Sequence, residues 1–312
     1  MLALKVVPEI LYFDTFKDFN EEFKLGKGDI LVTNEWMYNP YVKPLGIDIP
    51  VIFQEKYGKG EPSDEMIDAI AKDMKEYSYD RIVAFGGGTI VDICKILCLD
   101  LPEQSVKVFT KEVPAKKVKE LIVIPTTCGT GSEVTNVAVA ELKSLHVKMG
   151  LAVDETYADK AVLIPESLQG LPDYVFATSS IDALIHATES YLSPFASPQT
   201  ELFSLKAIEM IMHGYMQMIA NGGNTAEARK DFCLASNYAG IAFGNAGCGA
   251  VHALSYSIGG AFHVPHGESN YQFFTEVFKT YMKREPEGKI ASLNKVYAGI
   301  LGCDEAVVYD EL

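Results

Sequence analysis

The sequence predicts two domains of different class: an α/β domain with a mostly parallel sheet over residues 1–170, and an all-helical domain over residues 171–312. Three observations predict it. Short β-branched runs alternate with helical patterns through the first half. Two of those runs, RIVAF and LIVIP, are apolar almost throughout, which suits strands covered on both faces. After about Gly170 only helical periodicities remain, punctuated by Gly, Pro and Asn.

Taken in order, the expected strands are Ile30 to Thr33, Val51 to Gln54, Arg81 to Phe85, Leu121 to Ile124, Gly150 to Val153 and Ala161 to Ile164. Between the second and third, Pro62 and Ser63 open a helix whose Met66, Ile67, Ile70, Met74 and Tyr77 share a face. In the second half Ser197-Pro198 starts a long helix through Leu205, Ile208, Met212 and Met216, and the Asn221 to Asn224 stretch breaks it. Another helix is expected from about Thr225 to Phe243. At the end, CDEAVVYDEL reads as a helix start capped by Asp304, so a C-terminal truncation is expected.

Composition narrows the function classes. A 312-residue chain with 48 % hydrophobic and 11 % aromatic residues has enough apolar matter for real cores. A formal charge of −15 repels phosphate backbones and anionic bilayers, so neither nucleic acid nor membrane is an expected partner. No apolar stretch reaches the roughly 20 residues of a membrane span, and MLALKVVPEI lacks the order of a secretory signal; the expected location is the cytoplasm. Cys94 and Cys98 stand at i, i+4 with no second pair, which predicts core thiols on a helix.

Two glycine-bearing loops follow predicted strands. In AFGGGTIVDICK, Gly86, Gly87 and Gly88 precede Thr89 and a helix carrying Asp92 and Lys95. Glycines let backbone approach a pyrophosphate, and the helix N-terminus stabilises its charge. The spacing is not G-x-G-x-x-G, and an ordinary strand-to-helix turn would need only one or two glycines. LIVIP then runs into TTCGTGSEVT, where Thr126, Thr127, Thr130 and Ser132 cluster hydroxyls around Gly129 and Gly131. Neutral donors of this kind can wrap a nucleotide ribose or phosphate at the carboxyl ends of parallel strands.

The helical half carries a second chemistry. Asp182 and His186, at i, i+4 in SSIDALIHATES, project from one helix face and can grip one cation. Taken alone that spacing reads better as a surface ion pair. His252, in a small-residue helix, and His266, in a Pro-His-Gly turn, change the weighting, because a core histidine has little reason to be in either place. Two His and an acid suit Fe(II), and with a third His the set also suits Zn(II). His263, three residues before His266, is expected to line the pocket, and His146 and His213 to be solvated.

Together GGGTIVDICK, PTTCGTGSEVT, DALIHATESYLSP, VHALSYSIGG and HVPHG resemble the iron-containing (group III) alcohol dehydrogenase family over essentially the whole chain. The resemblance implies a Rossmann-like first domain within a dehydroquinate synthase-like architecture. It implies Asp182, His186, His252 and His266 as metal ligands. The implied cofactor contacts are Gly87, Gly88, Thr89, Thr126, Thr127, Thr130, Ser132 and Lys148, with NAD as cofactor and NADP the alternative. Asn34 stands at the strand end where many relatives have an acid that excludes a 2′-phosphate. Tyr256 replaces a second His common in relatives, so Tyr256 or His263 is expected to shape the pocket or relay the proton. QEKYGKGEPSDEM, SNYAGIAFGNAG and HALSYSIGGAFHVPHGE are most similar to members that interconvert 4-hydroxybutyrate and succinate semialdehyde, and a homo-oligomer, a dimer, is expected. The alternatives are another short-chain alcohol or diol, a dehydroquinate synthase-like lyase, for which the helical half shows no basic cluster, or a non-redox metalloprotein, which has no use for the glycine loops.

Overall fold

The computed structural model describes residues 2–223, 226–262 and 264–312, with backbone alone for 226–228, 260 and 261. Contacts divide the chain into two compact units. One comprises Val7–Thr127 and Ser132–Gly170; the other comprises Met1–Val6, Cys128–Gly131 and Leu171–Leu312.

The first unit contains β1 (Glu9–Tyr12), α1 (Phe16–Phe23), β2 (Gly28–Thr33), α2 (Glu35–Met37), β3 (Val51–Phe53), α3 (Asp64–Met74), β4 (Tyr79–Gly86), α4 (Gly88–Leu97), α5 (Val106–Phe109), β5 (Glu120–Pro125), β6 (Val137–Leu142), β7 (Val147–Ala152) and β8 (Lys160–Leu163). Six strands form a parallel sheet in the order β1-β8-β5-β4-β2-β3. Alternate residues serve opposite faces: Ile82 and Ala84 pack with Ile67, Ile70, Ile90 and Ile93, while Val83 and Phe85 pack with Phe16, Phe19 and Met37. Both faces are therefore buried, which is why these strands read as continuous apolar runs. Ser63 caps α3 by accepting from the Met66 N–H, and Met66, Ile67, Ile70 and Met74 are buried as their spacing predicts.

Three expectations need correction. Tyr77 lies beyond α3 and is exposed, because the helix ends before the next turn of its apolar face. The strand expected at Gly150 to Val153 is part of β7, which pairs antiparallel with β6 in a separate two-stranded sheet. Gln54 starts a short 3₁₀ turn after β3 instead of ending the strand.

The second unit contains α6 (Asp173–Leu192), α7 (Pro198–Ala220), α8 (Ala226–Ala246), α9 (Ala250–Phe262), α10 (His266–Arg284), α11 (Lys289–Leu301) and α12 (Val308–Glu311). Helix α6 packs against α7, α8 and α10, and most of its last two-thirds is buried. That surround explains why it carries no clear amphipathic stripe. Ser197 and Thr200 form a reciprocal capping box at the start of α7, with Pro198 at its first position. Thr225, where a helix start was expected, lies outside the described residues, and the helix runs to Ala246 rather than Phe243. No helix among the described residues is long and apolar enough to cross a membrane.

Candidate functional site

Four side chains from three helices converge in the helical unit. Asp182 and His186 lie one turn apart on α6, His252 comes from the first turn of α9, and His266 is the first residue of α10. One ligand atom from each lies within 4.8 Å of the other three. His252 Nε2 and His266 Nε2 are 3.7 Å and 3.8 Å from Asp182 Oδ1, and His186 Nδ1 is 3.9 Å from Asp182 Oδ2. Asp182, His186 and His252 are buried; His266 is partly open. His266 heads a helix after Pro265, where a turn was expected. Gly267 makes that placement possible: a Cβ there would lie 2.0 Å from the Thr178 carbonyl oxygen on α6, so only glycine brings α10 this close.

The rings are held by stacking and by their second nitrogens. His186 stacks on Phe243 at 4.1 Å and on His252 at 4.4 Å between ring centroids. His186 Nδ1 is 3.3 Å from the Gly129 carbonyl oxygen, and His252 Nδ1 is 2.6 Å from Glu189 Oε2. An imidazole that donates from Nδ1 carries its lone pair on Nε2, the form in which it can ligate a metal. Asn270 donates to Asp182 Oδ1 at 2.7 Å and lies 3.3 Å from His266 Nε2.

Electrostatics couple the four groups. Burial pushes the Asp182 carboxyl up, but His186, His266 and His252 outweigh it and hold the group below the usual carboxylate range. Burial depresses the His186 imidazole to about 3, with Asp182 opposing that shift and the other two rings adding to it. For His252 burial also disfavours the cation, yet Asp182, Cys248 and Glu189 raise it above its ordinary value. His252 Nε2 is nevertheless buried without a hydrogen-bond partner. A buried nitrogen normally finds a partner, and one aimed at a carboxylate and two more imidazoles fits a site that takes a divalent cation.

In the sheet unit the predicted cofactor residues cluster at the carboxyl ends of neighbouring strands. Asn34 follows β2, Gly87, Gly88 and Thr89 follow β4, and Thr126 and Thr127 follow β5. Gly87 is the N-cap of α4, and a Cβ there would approach the Thr127 side chain to 3.3 Å. The Thr126 hydroxyl is buried and unpartnered, whereas Thr89 Oγ1 donates to the Gly60 carbonyl. Lys148, on β7, pairs with Glu61 at 2.7 Å. Ser132 is buried in a network: its hydroxyl donates to Asp92 Oδ1 at 2.8 Å and accepts from Lys95 Nζ at 2.6 Å. Residues 128–131 of the same loop pack instead with the helical unit. Gly131, at φ 53°, would put a Cβ 2.5 Å from Gly240 Cα, and Gly129 would put one 2.6 Å from the Ser179 carbonyl oxygen. Those two glycines serve close packing against the helices, and Thr130 stands between them.

Sequence comparisons agree on both halves. A profile described as iron-containing alcohol dehydrogenase matches residues 9–165, and one described as Fe-containing alcohol dehydrogenase family, C-terminal, matches residues 176–310. The chain is 58 % identical over 313 aligned residues to the 4-hydroxybutyrate dehydrogenase of Clostridium kluyveri, covering 100 % of this chain and 84 % of that one. The chain belongs to the iron-containing alcohol dehydrogenase family. More distant members include long-chain-alcohol dehydrogenase 1 of Geobacillus thermodenitrificans, 40 % identical over 65 % of this chain and 51 % of that protein. Among solved structures, the iron-containing alcohol dehydrogenase of Thermococcus thioreducens superposes with a TM-score of 0.79 at 26 % identity, over 99 % of this chain and 84 % of that one. The sulfoacetaldehyde reductase of Bifidobacterium kashiwanohense, solved with NAD+, shares the fold with a TM-score of 0.84 at 24 % identity, over 100 % and 84 % of the two chains.

Two residues of this iron-containing alcohol dehydrogenase went unread in the sequence. Glu189 stands seven residues after Asp182 and three after His186, a spacing that puts all three on one helix face. Its carboxylate accepts from the Val251 N–H at 2.6 Å as well as bonding His252. Asn270 follows His266 by one turn. Of the two expected relay residues, Tyr256 is exposed with its ring 6.1 Å from that of His266, and His263 lies outside the described residues. His146 and His213 are exposed, as expected.

Proposed function

We propose that the chain is a metal-dependent, NAD-linked alcohol dehydrogenase that interconverts 4-hydroxybutyrate and succinate semialdehyde. Asp182, His186, His252 and His266 would hold one divalent cation, Fe(II) or Zn(II). The observation that carries this reading is the convergence of those four groups around a buried, unpartnered His252 Nε2. The strong likeness to a 4-hydroxybutyrate dehydrogenase supports the substrate.

When bound, the cation would supply Lewis acidity at the substrate oxygen, and the nicotinamide would supply the hydride chemistry. The chain's own residues prepare for this. Asp182 stays a carboxylate beside its three rings, and His186 stays neutral, so anionic and neutral donors face the same point. Glu189 and the Gly129 carbonyl fix two of the rings through their Nδ1 atoms. Tyr256, on the open side of His266, would pass the alcohol proton towards solvent.

The strand-end loops would take the cofactor: Gly87, Gly88 and the N-terminus of α4 for the pyrophosphate, Thr89, Thr126, Thr127, Thr130 and Lys148 for phosphate and ribose oxygens. Ser132 would act by holding the loop, since both partners of its hydroxyl are internal. The preference for NAD over NADP would rest on Glu55. It follows β3, accepts from Asn34 Nδ2 at 2.9 Å and from the Glu35 N–H at 2.7 Å, and so puts a carboxylate at the strand ends beside Asn34. A 2′-phosphate there would meet like charge.

The test is purified protein supplied with Fe(II) or Zn(II), NAD and 4-hydroxybutyrate, followed by nicotinamide absorbance. The reading expects metal-dependent reduction of NAD; protein that binds metal and cofactor without reducing NAD would contradict it. Running short diols and other hydroxy acids alongside separates the proposed substrate from those of other family members.

A further inference from the structure

We propose that Glu189, Cys248 and His252 form a second cation site, selective for soft, thiolate-seeking divalent ions, whose occupation disables the four-residue centre. The three offer a carboxylate oxygen, a sulfur and a ring nitrogen within 4.8 Å of one another at the start of α9. Of the six cysteines Cys248 is the one whose residue is exposed, which places the set near the surface. The other set holds one carboxylate and three imidazoles and no sulfur. Softness therefore sorts the two: Fe(II) suits the nitrogen and oxygen set, whereas Zn(II) and Cd(II) bind well where a thiolate is present.

His252 belongs to both sets, and its two nitrogens face different ways. Nε2 points towards Asp182 Oδ1 at 3.7 Å, and Nδ1 bonds Glu189 Oε2 at 2.6 Å. A cation entering the second set displaces the Cys248 thiol proton to solvent and takes the Nδ1 lone pair, so the single proton of the neutral His252 ring passes from Nδ1 to Nε2. Nε2 then carries the ring's only proton, on the side that faces Asp182, so it has no lone pair for the first set. The sites exclude one another through one imidazole, and Glu189 passes from orienting His252 to ligating the competing ion.

The existence of the second site is independent of the dehydrogenase reading; its inhibitory effect rests on that reading. Cd(II) is titrated into the full chain and followed by the ultraviolet thiolate-to-cadmium charge-transfer band. The expected result is a band saturating at one equivalent in wild type and in His266→Ala, which alters only the partly open ligand of the first set, and its loss in both C248S and C248A. No band in wild type, or a band that survives both Cys248 substitutions, overturns the site. In the second arm, Zn(II) is added to iron-loaded enzyme, with each variant referred to its own rate before addition. Half-inhibition of C248S is expected at ten or more times the zinc concentration that half-inhibits wild type. Equal sensitivity overturns the mutual exclusion. A protein that turns over no alcohol under any loading counts against the dehydrogenase reading, while the absorption arm still decides the site.

Discussion

The two units of this chain build their sites by opposite means. In the sheet unit the predicted binding groups are largely backbone, at the strand ends where Gly87, Gly88 and Thr126 stand, and the side chains of Thr89 and Lys148 bond within the unit. In the helical unit the working atoms are side chains on α6, α9 and α10, set by ring stacking, by Glu189 and by Asn270. A backbone site tolerates side-chain changes that keep the turn, whereas a side-chain site fails when one donor is removed. The difference can be broken at either end.

The largest effect is expected in the helical unit. His252→Ala removes a ligand and its link to Glu189, and should lower kcat/KM by about 10³-fold, equivalent to losing several kcal/mol of charge stabilisation. Metal content per chain, measured by elemental analysis, should fall with it; retention of a full equivalent of metal would contradict the assignment. Glu189→Gln leaves the four ligands in place and weakens only the orientation of one, so metal affinity in a chelator competition should drop about 10–100-fold. An unchanged affinity would reduce Glu189 to a helix-packing role.

How legible these groups were follows from the same contrast. Asp182 and His186 stand out by spacing, and His252 and His266 by odd placement in small-residue and Pro-Gly surroundings. Glu189 was readable from its seven-residue offset, yet a glutamate in ATESY looks like any helix-surface acid until burial is known. The parallel sheet showed itself as apolar runs because both of its faces are covered. β1 stayed hidden, since EILY is short and largely exposed, and β6 hid because VAVAEL pairs with β7 in a small hairpin apart from the main sheet. No sequence pattern could have told that Lys95 is wholly buried and bonds Ser132, Thr135 and the Val137 carbonyl, since those partners lie about forty residues away.

That lysine gives the sheet unit its own test. Burial lowers Lys95 to about 8, against the opposing pull of Asp92 and Glu133. Because the folded value lies below the unfolded one, the unfolded chain binds the proton more tightly between pH 8 and about 10.5. Stability therefore rises with pH across that window, and the penalty is fully present below it, on the order of 3 kcal/mol. Denaturant titrations of wild type and Lys95→Met should differ in slope across the window; parallel curves would mean that Lys95 titrates normally. The smallest effect is expected at the strand ends, where Glu55→Gln should shift the NAD over NADP preference about three- to tenfold towards NADP, roughly 1 kcal/mol. Steady-state kinetics with both cofactors would show it, and an unchanged ratio would assign the preference elsewhere.

The central claim is that one cation sits among Asp182, His186, His252 and His266. Crystals of protein loaded with Fe(II) and measured on both sides of the iron absorption edge test it most directly. A single anomalous peak is predicted, about 2.0–2.2 Å from an oxygen of Asp182 and a nitrogen of each histidine. A peak with other ligands, or one that bypasses His252, would contradict the account.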